Sequence, residues 1–285
     1  IAQINASGYG LTLGVHTRID ETIAKVVNSV NAGNVYVNRN IVGAVVGVQP
    51  FGGEGLSSTG PKAGGPLYLF RLLSTRPGNA IEQSFAKVDA ISAPDTQARE
   101  ALSKPLKALQ AWADNNQQAS LAELCSEFAA HSQSGITRLL NGPTGERNSY
   151  AILPREHVLC LAEVESDVLT QLAAVLAVGS SAVMPESELA KALLARLPKE
   201  VQARIKLVAD WTKDDVIFDA VLHHGDCDQL RDVCQHVAQR AGAIVGVQGL
   251  SQGETNIALE RLVIERALSV NTAAAGGNAS LMTIG

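Results

Sequence analysis

Along the first 40 positions the apolar residues change period twice. Residues 10–17 alternate and are rich in strand formers, which predicts a strand. Thr17 then offers a helix N-cap with Asp20 and Glu21 behind it, and Ile19, Ile23, Val26 and Val30 fall on one face at helical spacing. Gly33 is placed to end that helix. Val35–Tyr36–Val37 follows without alternation, as expected of a strand covered on both faces.

Between residues 43 and 66 this periodicity gives way to glycine and proline, with eight Gly and three Pro. A long helix is excluded there, and the backbone has to turn repeatedly. The composition suits a linker, but Ala44, Val45, Val46, Val48 and Phe51 predict a packed segment instead. Residues 79–140 read as mostly helical, with Pro105 breaking or kinking one helix. Strands are then expected at 158–161, 181–184, 205–208, 217–222 and 243–247. The helices between them are expected at 168–178, at 188–197 and on a face formed by Leu230, Val233, Cys234, Val237 and Ala241. Strands separated by helices of this length imply a mostly parallel, Rossmann-like sheet. The expected fold class is therefore α/β, in two parts: residues 1–78, and residues 79–285 made of a helical lead-in (79–140) and an α/β unit (141–285).

Composition narrows the function classes. Of the 285 residues 46% are hydrophobic and 18% charged, enough for a sizeable core. The net charge of −5 argues against a surface that tracks nucleic-acid phosphates. Four cysteines at irregular spacing form no CxxC pair, which points to a reducing, cytoplasmic compartment. No apolar run approaches the ~20 residues of a membrane span. The chain begins without Met, inside what reads as a running element, as a fragment would.

Candidate chemistry is sparse. His223, His224, Asp226 and Cys227 are the densest set of potential metal ligands, but adjacent His side chains on a strand face opposite ways and no second pair stands at zinc spacing. No metal is therefore expected. Gly142 and Gly145 precede their strand, and Gly242, Gly246 and Gly249 have the wrong spacing for a dinucleotide fingerprint.

The ordered set Tyr9-Gly10-Leu11, Val15 to Thr17 with Asp20, Gly33 to Asn38, and Pro50-Phe51-Gly52-Gly53 followed by Ser57 and Gly60 resembles the end of the aldehyde dehydrogenase catalytic domain. Ser58 and Gly55 depart from the superfamily pattern, where Gly and Lys are common. Residues 37–68 are most similar to the glutamate-semialdehyde (pyrroline-5-carboxylate) dehydrogenase branch. The likeness extends through 142–148 and 271–285 to the C-terminally extended proline-utilization flavoproteins, in which that enzyme is fused to a proline dehydrogenase.

The resemblance implies an NAD-dependent oxidation of glutamate semialdehyde to glutamate, with FAD serving the proline dehydrogenase part. It places the nucleophilic Cys and general-base Glu upstream of residue 1, so the fragment alone is expected to be inactive. It assigns the hold on the substrate's amino-acid end to the backbone at Gly43 and Ala44, and a wall for its aliphatic chain to Phe51. Arg39 could serve a carboxylate substrate or a surface ion pair. Residues 79–285 would be a non-catalytic lid, and Leu281, Met282 and Ile284 a docking tail. The implied partners are the rest of the same polypeptide and further copies of it, with nucleic-acid or peripheral inner-membrane contacts only through other parts.

Overall fold

The computed structural model of the chain describes residues 1–42, 44–58, 60–73 and 96–272. Residues 79–95 of the expected lead-in, Gly43, and the docking tail with Leu281, Met282 and Ile284 lie outside them.

The first part supplies α1 (Ala2–Ala6), β1 (Tyr9–Gly10), β2 (Thr12–Val15), α2 (Asp20–Ser29), β3 (Asn34–Val37) and β4 (Glu54–Gly55). The expected strand at 10–17 is thus two short ones. Helix α2 starts later and ends earlier than its pattern predicts. Thr17 Oγ1 accepts from Ile19 N–H (3.2 Å) and turns the chain ahead of the helix, while Val30 already has extended backbone. Gly33 does not stop the helix. A Cβ there would lie 1.9 Å from the Gly52 carbonyl oxygen, so the glycine permits a close backbone crossing.

Next come α3 (Thr96–Asn115), α4 (Ala119–His131), β5 (Thr137–Leu140) and β6 (Glu146–Pro154). The helical lead-in therefore ends in a strand. Pro105 lies buried inside α3, which runs on through it, because packing against α4 and the following α/β layer outweighs one lost hydrogen bond.

The remaining elements are β7 (His157–Leu161), α5 (Glu165–Val178), β8 (Ser181–Pro185), α6 (Glu188–Arg196), α7 (Lys199–Gln202), β9 (Ile205–Val208), β10 (Ala220–His224), α8 (Cys227–Gln239), β11 (Gly246–Leu250) and β12 (Val263–Asn271). Strands β7–β11 form the expected parallel sheet, in the doubly wound order β11-β10-β7-β8-β9. Both its faces are covered. Val158, Cys160, Ala182 and Leu222 pack with α5, while Leu159, Leu161, Val183 and Val221 pack with Val233 and Val237 of α8. Helix α5 is buried on nearly every side, sandwiched between the sheet and α3 and α4, and Gly179 ends it in the left-handed conformation.

Two strands of this sheet begin three residues later than their apolar runs. Val216 and Phe218 fill the core from a loop, since Asp219 fastens the chain to His157 through its backbone N–H (2.8 Å) and its carboxylate (3.1 Å). Pairing with β7 and β11 then carries β10 through His223 and His224.

The second five-stranded sheet has the order β2-β3-β12-β6-β5. Strand β12 pairs parallel to β3 (Leu268 opposite Val35) and antiparallel to β6 along nine positions. Strands from both ends of the chain thus share one sheet, with β3 fully buried inside it as its apolar run predicts. The sequence pattern does not predict β6 or β12. The buried face of β12 reads Val263, Glu265, Ala267, Ser269, and two polar residues in four hide the alternation.

Candidate functional site

Asn34, the first residue of β3, is fully buried and organises the turn at Pro50–Gly53. Its Nδ2 donates to the Pro50 carbonyl (3.0 Å) and its Oδ1 accepts from Gly52 N–H (3.2 Å). One side-chain amide therefore holds the backbone on either side of Phe51. A bridge from Phe51 to Ala63 closes the segment. Phe51 itself is half-buried.

Behind this turn lies Lys62, 2% exposed. Its Nζ donates to Asn34 Oδ1 (2.9 Å) and to the Gly52 carbonyl. Its backbone N–H donates to Glu265 Oε2 (2.7 Å), and Tyr150 donates from its hydroxyl to Glu265 Oε1 (2.6 Å). Burial lowers the Lys62 amine to about 8, opposed by the Glu265 and Glu54 carboxylates. Burial raises Glu265, against the stabilising hydrogen bonds from Tyr150 and Lys62 N–H. Unfolded, the lysine keeps its proton to about 10.4. Between about 8 and that value the unfolded chain holds more protons, so stability rises with pH across the window. Urea unfolding between pH 7.5 and 10 will show this rise, and Lys62→Met will remove it.

A second set fixes the base of the loop that leads into the turn. Arg39 pairs with Glu146, donates to Ser269 Oγ (2.7 Å) and lies 5.0 Å from the Tyr36 ring centroid. Its side chain is only 15% exposed, so it joins a half-buried network and not a surface pair. Gln49 Nε2 donates to Asn148 Oδ1 (2.8 Å), and Gln49 Oε1 accepts from Val45 N–H (2.9 Å). Glu146, Asn148 and Ser269 belong to β6 and β12, so this antiparallel pair of strands holds the base of the loop.

The tip of that loop is open. Val42 and Val46 are 80% and 98% exposed, and Ile41 and Val45 are also exposed. The expectation of a packed apolar run at Ala44–Phe51 holds at its C-terminal end and fails at Val45 and Val46, because a tight turn at 45–49 carries them outward. Ala44 is half-buried, and among the described residues its N–H meets no acceptor. The loop thus presents a backbone donor and apolar surface above a rigid, glycine-lined turn. Gly55 supplies the left-handed residue nearby (φ +59°), whereas Ser58 does not adopt a positive φ. Ser58 is therefore met by ordinary backbone, while Gly55 stands where the backbone is left-handed.

The doubly wound sheet has its own candidate crevice, where the strand order reverses between β7 and β10. Protein groups fill it. Gln171 Nε2 donates to the Leu161 carbonyl (3.0 Å) and lies 2.9 Å from His224 Nδ1, while His224 Nε2 lies 2.8 Å from the Glu254 carbonyl. Glu165 and Asp167 in the first turn of α5 would repel a pyrophosphate, and Asp167 already accepts from Gly253 N–H (3.1 Å). These residues do not fit a dinucleotide. Nearby, Asp226 is spent as the N-cap of α8, and among the described residues no three metal-ligating side chains converge.

Two of the four cysteines are placed against chemistry. Cys125 and Cys160 are buried, and burial pushes both thiols up, Cys125 to about 12. No described helix is long and apolar enough to cross a membrane.

Residues 1–76, the part that contains this loop and turn, match the aldehyde dehydrogenase family. The whole chain is 61% identical to the bifunctional protein PutA of Escherichia coli K12, spanning 21% of that protein's length. A second relative, the 1-pyrroline-5-carboxylate dehydrogenase of Bacillus cereus, is 48% identical over 69 residues, 24% of this chain and 13% of that protein. Among solved structures, proline utilization A of Corynebacterium freiburgense superposes on 95% of this chain and 24% of its own, with a TM-score of 0.50 at 19% identity, which supports the fold. The chain thus matches the aldehyde dehydrogenase family over residues 1–76, is similar to PutA from end to end, and spans about a fifth of the curated PutA it matches.

Proposed function

We propose that this chain is the substrate-binding end of an NAD-dependent L-glutamate γ-semialdehyde dehydrogenase within a bifunctional proline-oxidising polypeptide. The observation that carries the reading is the loop and turn at 41–53, with the Ala44 N–H free of acceptors among the described residues and the Phe51 turn fixed by Asn34. Glutamate semialdehyde presents a carboxylate at one end and an aldehyde at the other, joined by methylenes. The backbone N–H groups of Gly43 and Ala44 hold the carboxylate, and small residues let the backbone come close. Phe51 walls the methylenes without competing for a hydrogen bond.

Thiol attack, water activation and NAD binding belong to residues outside this chain, and FAD to the proline dehydrogenase part. NAD would accept the hydride there. The work of this segment is to orient the aldehyde for those groups. Residues 79–285 act as a non-catalytic unit that seals and stabilises the dehydrogenase part, a role favoured by the grip of β6 and β12 on the loop. A homo-oligomer in the cytoplasm, peripheral to the inner membrane if at all, completes the reading.

Gly43→Leu in the full-length protein tests the substrate role. The side chain blocks approach to the backbone, so KM for the semialdehyde is expected to rise by at least tenfold with unfolding unchanged. A shift in stability alone would refute the assignment in favour of a purely structural loop.

A further inference from the structure

The strongest unexplained feature is the buried chain of polar groups that runs from the paired strands β6 and β12 to the Phe51 turn. Tyr150 of β6 donates to Glu265 of β12, Glu265 accepts from Lys62 N–H, and Lys62 Nζ donates to Asn34 and the Gly52 carbonyl. All four side chains are buried. Lysine is a costly choice for a place where a neutral amide could hold the same two acceptors. Its ammonium also reaches no carboxylate within ion-pair distance among the described residues. Of the acceptors it does reach, the Gly52 carbonyl is on the turn that carries Phe51 and Asn34 is the β3 side chain that holds that turn.

We propose that Lys62 is a positioning residue for the aldehyde substrate, seated by Glu265, so that strand β12 of the C-terminal unit sets the placement of Phe51. This rests on the reading of Phe51 as the substrate wall. Lys62 touches no substrate itself. It acts by tying the Gly52 carbonyl to Asn34, and Glu265 fixes its backbone from a strand 203 residues away in sequence.

The arrangement has little slack. A Cβ on Gly65 would lie 2.7 Å from Glu265 Oε1, and one on Gly33 would lie 2.8 Å from Lys62 Nζ, so glycines line both ends of the relay. Loss of the amine removes one hydrogen bond from the turn, at the Gly52 carbonyl, and one from Asn34 that holds it, but leaves the loop at 41–49 clamped by Arg39 and Gln49. The expected defect is therefore confined to the wall.

The charged groups facing Lys62 are Glu265 and Arg266 from β12 and Glu54 from β4, with the Tyr150 hydroxyl behind Glu265. Depression of the amine to about 8 gives the relay a pH signature: KM should drift upward as the amine loses its proton and its charge-assisted bonds weaken.

Steady-state kinetics of the full-length protein tests this with Lys62→Met, Tyr150→Phe and Phe51→Ala. Lys62→Met should raise KM for glutamate semialdehyde about tenfold with kcat within twofold, and should flatten the dependence of KM on pH between 7 and 9. Tyr150→Phe, a milder change that keeps the ring, should raise KM two- to fivefold, and it stands as the test if Lys62→Met does not fold. Equal losses in kcat with KM unmoved in both variants would overturn the positioning role. Phe51→Ala separates the two ideas. If it raises KM while Lys62→Met and Tyr150→Phe do not, the relay is refuted and the substrate reading stands. If Phe51→Ala leaves KM unchanged, the substrate reading itself fails.

Discussion

Arg266→Met is expected to cost about 3–5 kcal/mol of unfolding free energy, the loss typical of breaking a buried ion pair from one side. Arg266 of β12 holds Glu54 of β4 through Nε (3.1 Å) and Nη2 (2.9 and 3.1 Å), and its Nη1 donates to the Val27 carbonyl (3.3 Å). The two side chains are 12% and 10% exposed, so solvent screens the pair little. Removing the guanidinium leaves a desolvated carboxylate facing an apolar methionine. Adding Glu54→Gln should restore most of the loss, because the stranded charge disappears with it. Urea unfolding of the two singles and the double measures the coupling. Additive losses would show that the pair contributes nothing beyond its separate side chains.

Gly33→Ala is expected to be the most damaging single methyl in the chain, at roughly 3 kcal/mol, the upper part of the usual range for overpacking. Its Cβ would meet the Gly52 carbonyl oxygen at 1.9 Å and the Gly52 carbonyl carbon at 2.9 Å. Neither side can yield easily. Gly33 N–H donates to the Gly10 carbonyl (2.9 Å), its own carbonyl accepts from Ala267 N–H (2.8 Å), and the 50–53 turn is pinned by Asn34. Relief has to come from moving the turn, so on the proposed substrate reading KM of the full-length protein for the semialdehyde should rise together with the loss of stability. A comparison of thermal midpoint and KM on one preparation checks both. An unfolding midpoint within 1 °C of the parent would mean that the crossing is looser than described.

Much of the doubly wound unit was legible from periodicity. Its strands are short apolar runs between helices of 4 to 14 residues, and the core positions of β7 and β8 follow from those runs alone. The loop proposed to hold the substrate was legible only as a family motif. Glycine and proline spacing located the turn at 50–53, but exposure at Val45 and Val46 depended on a local turn that composition does not specify. Gly33 shows the limit of local reading. Its place after an apolar helical face suggests a stop signal, yet the reason for the missing side chain is a strand crossing with Gly52, nineteen residues on.

The sequence by itself determined the α/β class, the parallel unit, the glycine-rich turn around Phe51 and its resemblance to aldehyde dehydrogenases. Those features rest on neighbours within a few positions, where the pattern of apolar and turn residues acts directly. Only the tertiary structure decided that β12 lies between β3 and β6, and that Glu265 and Arg266 hold Lys62 and Glu54. Each of those pairs joins residues more than 200 positions apart, and the polar residues that make them conceal the strand that carries them. A buried charge reads in sequence as a surface residue until its distant partner is in place.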